Sequence, residues 1–192
     1  MKIILFDKNE GMIDAWKQKF QGVPNIEYFL GDFKDIKTGC KSTSIISPAN
    51  SFGFMNGGID LAYSEYFGWG LQEDVQLRIK TEFDGELLVG QSFITETYDK
   101  DIPYIIIAPT MRIPMDVNES PNAYLTMKTI LRTALQNNVD YLLVCGLCTG
   151  AGNMSYERCA KQMYTAYNEV ISNEKVEFKT LRDAGIHYIS LL

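Results

Sequence analysis

Short apolar runs alternate along this chain with longer stretches in which apolar residues recur every three or four positions. Residues 2–6 form a β-branched and aromatic run ending at Asp7, which predicts a buried strand. Asn9 predicts the cap of a helix reaching Phe20, because Met12, Ile13, Trp16 and Phe20 share one face. Gly22, Val23 and Pro24 break that pattern before a second apolar run over residues 26–30, which stops at Gly31-Asp32. Residues 44–46 predict a third strand. Helical spacing returns over residues 59–67 and over 71–83, the latter through Val75, Leu77 and Ile79. Strands are predicted over 91–95 and, more strongly, over 104–107. Three prolines make residues 108–121 a loop. A helix is predicted over 122–135, a near-continuous apolar strand over 141–144, and a helix over 155–171 with Ser155 as its cap. Residues 185–192 predict one more strand. Short apolar strands between amphipathic helices imply a mainly parallel sheet covered on both faces, a three-layer α/β/α sandwich.

Composition narrows the function. The 192 residues are one domain's worth of sequence, and 46% hydrophobic content supplies a core. A formal charge of -6 has the wrong sign for a protein that grips a nucleic-acid polymer. His187 is the single histidine, which weighs strongly against Ser-His-Asp triads and multi-histidine metal sites, and it is expected to be structural. No metal and no cofactor are expected. Cys40, Cys145, Cys148 and Cys159 are too few and too irregular for a disulfide scaffold. Cys145-x-x-Cys148 lacks the second pair of a zinc site, so buried small side chains at a strand end are expected. No stretch approaches the ~18 apolar residues of a membrane span. A soluble, cytoplasmic protein is expected, or one of the host cytoplasm if the source is a phage.

In open α/β sheets, ligands sit beyond the carboxyl ends of the strands. Two glycine-rich loops follow strong strands there, residues 47–58 and 146–153, and both run into helices. Such loops let backbone N–H groups approach an anion, and a helix start adds its positive end. An acidic protein can hold a diphosphate in this way. Neither loop spells a P-loop or G-x-G-x-x-G.

Ser47-Pro48-Ala49-Asn50 followed by Gly57-Gly58-Ile59-Asp60 resembles the Asn-Ala-Ala-Asn and Gly-Gly-Val-Asp element of macrodomains, the ADP-ribose-binding, Appr-1-p processing-like family. Gly31-Asp32-Phe33 resembles the Gly-Asp-Ile-Thr element, residues 104–109 the mid-domain strand and loop, and Cys148-Thr149-Gly150 the Ser-Thr-Gly of the second phosphate loop. Ser47 to Ser51, taken with Ala108 to Arg112, is most similar to a macro-like subgroup seen in fungi, bacteria and phages. The resemblance implies a single macrodomain-like domain over residues 1–192, with a mixed, mostly parallel sheet. It implies that Asp32 accepts the adenine amino group and that Gly57, Gly58, Ile59, Thr149, Gly150, Ala151 and Gly152 contact the diphosphate. Phe33, Ser47, Ala49 and Asn153 are implied as further substrate-binding positions. Asn50 and Asp60, ten residues apart, would face the distal ribose as the catalytic pair. Gly152 stands where the family often has a ribose-stacking aromatic, a role open to Phe52, Phe54 or Tyr156.

Two functions follow. One is a hydrolase removing a phosphate, acyl group or protein side chain from the 1″ end of ADP-ribose, with Asp60 directing a water. The other is a non-catalytic module that binds ADP-ribose or a signal nucleotide. The partner is ADP-ribose or an ADP-ribosylated substrate, with no membrane; the sequence leaves the oligomeric state open. An unrelated ligand in an α/β domain is a third reading.

Overall fold

The computed structural model describes every residue except Ala49, Asn173 and Lys175. Its chain runs β1 (Lys2–Asp7), α1 (Glu10–Lys19), β2 (Ile26–Leu30), a 3-10 turn (Phe33–Asp35), β3 (Thr43–Ser47), α2 (Gly58–Phe67), α3 (Gly70–Glu82), β4 (Phe93–Glu96), β5 (Tyr104–Ile107), α4 (Asn122–Gln136), β6 (Tyr141–Val144), α5 (Tyr156–Val170) and α6 (Leu181–Leu191). The strands form one sheet in the order β2-β1-β6-β3-β5-β4. All neighbours are parallel except β4 and β5.

Successive strand residues point to opposite faces of a sheet. Consecutive residues of β1, β3, β5 and β6 are nonetheless buried, from Ile3 to Phe6, Thr43 to Ser47, Ile105 to Ile107 and Leu142 to Val144, so both faces are covered. This is the α/β/α arrangement expected from the apolar runs. Helix α5 packs between α1 and α4, while α2 packs on α3. The caps follow the sequence: Asn9 Oδ1 accepts from Gly11 N, and Ser155 Oγ accepts from Arg158 N.

Three details differ from the sequence pattern. The strand expected over 91–95 begins at Phe93, because Gln91 Oε1 accepts from Leu88 N and holds a turn. On α3 the buried stripe is Leu71, Val75 and Ile79 at four-residue steps, and Leu77 faces solvent. The tail is a helix, not a strand. Thr180 and Asp183 form a reciprocal capping box that starts α6, and a short apolar run cannot by itself separate the two states. The helix is held by Gln162 Nε2 donating to Leu191 O at 2.9 Å and by His187 Nε2 lying 3.0 Å from Glu169 Oε1. His187 also meets Tyr124 and Phe178 edge-on. Among the described residues, no helix is long and apolar enough to cross a membrane.

Candidate functional site

A cavity of about 610 Å³ opens at the carboxyl ends of the strands. Sheet order fixes what lies along it. The β2 end contributes Gly31, Asp32 and Phe33, and the β1 end Asp7 and Lys8. The β6 end supplies Cys145 to Gly152, the β3 end Pro48 and Asn50, and the β5 end Thr110, Met111 and Pro114. With strands about 4.8 Å apart, five strand ends make a cleft about 19 Å long. That suits an elongated ligand.

The two glycine loops leave the adjacent strands β3 and β6 in the middle of the sheet, and residues of both line the cavity. Gly57 has φ -152° and ψ 158°, a conformation any residue adopts, and a Cβ there would meet nothing within 4 Å. A Cβ on Gly150 would likewise meet nothing. The fold needs neither glycine, but both line the cavity, where a side chain would occupy ligand space. Gly152 differs: a Cβ there would lie 2.5 Å from Cys148 O and 2.8 Å from Val117 Cγ2. No aromatic fits at that position.

Asp60 lines the cavity from the first turn of α2 and is 6% exposed. Burial pushes its carboxyl up to about 7, against the Ser47 hydroxyl, which donates to Oδ1 at 2.7 Å and favours the charged form. Asn50 organises its own loop. Its Oδ1 accepts from the N–H groups of Phe52 and Phe54, and its Nδ2 donates to Phe54 O at 2.8 Å. Asp32 caps the 3-10 turn by accepting from Lys34 N, while Lys8 Nζ lies 2.8 Å from its Oδ2. Burial opposes ionisation of Asp32, but Lys8 and the Lys34 amide outweigh it and hold the carboxyl below its usual range. Phe33 packs edge-on against Tyr63 and Tyr66.

A protein-family model described as Macro domain matches residues 46–163, more than half of the chain, including both glycine loops. The chain belongs to the macro domain family. Solved structures agree in fold. The macrodomain of Mycobacterium tuberculosis DarG superposes with a TM-score of 0.60 at 18% identity, over 72% of this chain and 87% of that one. The Oceanobacillus iheyensis macrodomain with ADP gives 0.57 at 21%, over 78% and 83%. The Trypanosoma brucei macrodomain in complex with ADP-ribose gives 0.54 at 21%, over 67% and 53%.

Within this macro domain, Asn50, Asp60, Asp32, Phe33, Gly57, Gly58, Ile59, Thr149, Gly150, Ala151 and Gly152 all line the one cavity. Ser47 does not: it is fully buried behind Asp60. Asn153 is outside the lining too, and its Nδ2 donates to Asp116 Oδ2. Ala49 lies outside the described residues. Of the three aromatics considered for stacking, Phe54 lines the cavity, Phe52 lies under the Arg112 guanidinium, and the Tyr156 ring sits beside Gly11.

Cys145 and Cys159 are buried and burial pushes their thiols up; Cys148, which also lines the cavity, is pushed up to about 12. Thiols held neutral in this way are poor nucleophiles and poor metal ligands. Asp7, Lys8, Thr110, Met111 and Pro114 were not singled out from the sequence. Asp7 and Lys8 had a signal, because they end an apolar strand. The others reach the cleft through the position of β5 next to β3. Tyr63 is also new: its hydroxyl is buried near Asp60 and Cys145 and has no hydrogen-bond partner among the described residues.

Proposed function

We propose that this macro domain binds ADP-ribose or a derivative in the cleft and hydrolyses a substituent at the 1″ position. Adenine would lie at the β2 end with its amino group on Asp32, which is kept ionised and so accepts only. The diphosphate would sit between Gly57-Gly58 and Thr149 to Gly152, taking backbone N–H groups at the start of α2. The distal ribose would then reach Asn50 and Asp60. The observation that carries this reading is the pair Gly57 and Gly150, side-chain-free positions in the lining, one from each glycine loop, that the backbone itself does not require. The ligands named for the Oceanobacillus and Trypanosoma relatives support it.

Hydrolysis rests on Asp60. A carboxyl near 7 is suited to take a proton from water and return it to a leaving group at neutral pH. Phe54 O takes one Nδ2 hydrogen of Asn50, leaving the second to meet a ribose hydroxyl. Incubation with ADP-ribose 1″-phosphate and with ADP-ribosylated protein, wild type against Asp60→Asn, tests this. Turnover that disappears in the variant supports it.

A binding module without turnover is the second reading. It is favoured by the engagement of both Asn50 side-chain atoms with their own loop and by Ser47 holding one oxygen of Asp60. ADP-ribose binding with no turnover of any substrate would select it.

A further inference from the structure

The second glycine loop is backed by residues 116–120, which do not line the cavity. Val117 N donates to Gly152 O at 3.0 Å, and the Val117 side chain lies so close that a Cβ on Gly152 would be 2.8 Å from its Cγ2. Beside it, Asn153 Nδ2 donates to Asp116 Oδ2 at 3.0 Å. Ser120 closes this segment on itself, with its N–H and its hydroxyl both donating to Val117 O. The result is a brace behind Gly152 and Asn153.

Gln162, a fully buried residue of α5, ties the brace to the end of the chain. Its Oε1 accepts from Tyr124 N at 3.0 Å, in the first turn of α4, where Pro121 offers no side-chain cap. Its Nε2 donates to Ser120 O at 2.7 Å and to Leu191 O, in the last turn of α6, at 2.9 Å. Both amide hydrogens are thereby used. No residue of α6 lines the cavity. The helix is lightly held: Leu191 is its buried residue, while Leu181, Ile186 and Ile189 are exposed. Its other anchor is His187, which meets Glu169 and the rings of Tyr124 and Phe178. An element with so few buried apolar contacts opens more easily than the core. Its departure would leave a buried amide hydrogen of Gln162 without its acceptor.

From this juxtaposition we infer that α6 is a detachable latch whose docking, relayed through Gln162, positions the second glycine loop. With α6 docked, Gln162 fixes Ser120, Ser120 fixes Val117, and Val117 holds the Gly152 carbonyl. With α6 released, Gln162 takes water in place of Leu191 O, the brace loosens, and the loop spends part of its time out of place. A ligand of that loop then binds more weakly in proportion to the fraction of time the loop is in place. Gln162 is a positioning residue in this scheme, since it acts through the brace. The coupling of helix to loop is a property of the chain itself; its effect on affinity rests on the reading that ADP-ribose occupies the cleft.

Amide hydrogen exchange on the full chain tests the latch in two ways. The first compares wild type with the double variant Thr180→Ala, His187→Ala, which removes the cap of α6 and its contact with Glu169 and leaves the core intact. Exchange is expected to quicken in α6, in residues 116–124 and in residues 146–154, with β1 and β2 unchanged, and ADP-ribose is expected to bind about five- to tenfold more weakly. Wild-type exchange rates at 146–154 in the variant would overturn the inference. The second uses wild type alone. Coupling is reciprocal, so saturating ADP-ribose is expected to slow exchange in α6 as well as at 146–154. Slowing at 146–154 with none in α6 would overturn the inference and leave the ADP-ribose reading standing. If ADP-ribose does not bind, that reading falls, and the exchange rates of the variant decide on the latch by themselves.

Discussion

Ser47 Oγ donates to Asp60 Oδ1 at 2.7 Å, and both side chains are buried at the junction of β3 with the cleft. Thirteen residues separate them in sequence. The hydroxyl stabilises the charged carboxylate, while burial destabilises it more, and the balance holds Asp60 near neutrality.

That balance gives a pH dependence with a defined sign. The folded state keeps a proton on Asp60 up to about pH 7, whereas the unfolded chain loses it near the ordinary carboxyl value of 3.8. The stabilisation from that proton is complete below about pH 4 and is lost as pH rises to about 7, at a cost of about 4 kcal/mol. Urea unfolding at pH 5 and pH 8 is expected to show this slope in wild type and a much flatter one in Asp60→Asn. If the reaction uses Asp60 as a base, kcat/KM rises through the same range.

Ser47→Ala removes the donor and leaves the carboxyl more costly to ionise. The rise in kcat/KM is expected to move to higher pH. Stability at pH 8 should fall by about 1.5–3 kcal/mol, with a smaller loss at pH 5, where Asp60 is protonated. Rate–pH profiles and denaturation at both pH values measure these effects.

The caps at Asn9 and Ser155, the apolar strands and both glycine loops were legible in the sequence, because each is set by neighbours within a few residues. The partnership of Ser47 with Asp60 was not. It depends on β3 and α2 meeting beneath the cleft, and the family resemblance implied both as ligand contacts. The contributions of Lys8 and Met111 depend on sheet order, which brings the first strand beside the second and sixth and the fifth beside the third. The C-terminal helix was missed because its capping box at Thr180 and Asp183 precedes the apolar run that suggested a strand.

Asp32 is expected to select adenine. Replacing ADP-ribose with its inosine counterpart, which lacks the amino group, should weaken wild-type binding about tenfold, the scale of a hydrogen bond to a charged group. In Asp32→Ala the same change of base should matter little. Titrations with both ligands on both proteins close the cycle.

The glycines of the cleft separate fold from function. Gly152→Ala sets a Cβ against the Cys148 carbonyl and Val117, so it should unfold at lower temperature, by about 1–3 kcal/mol of stability. A Cβ at Gly57 would meet nothing within 4 Å, so Gly57→Val is expected to leave the melting temperature within a few degrees of wild type.

The most direct test of the account is calorimetric titration of ADP-ribose into wild type and Gly57→Val at equal concentration. Saturable binding to wild type, weakened at least tenfold in a variant that melts normally, is the expected result. No heat from wild type at millimolar ADP-ribose, or equal binding by both proteins, would contradict it.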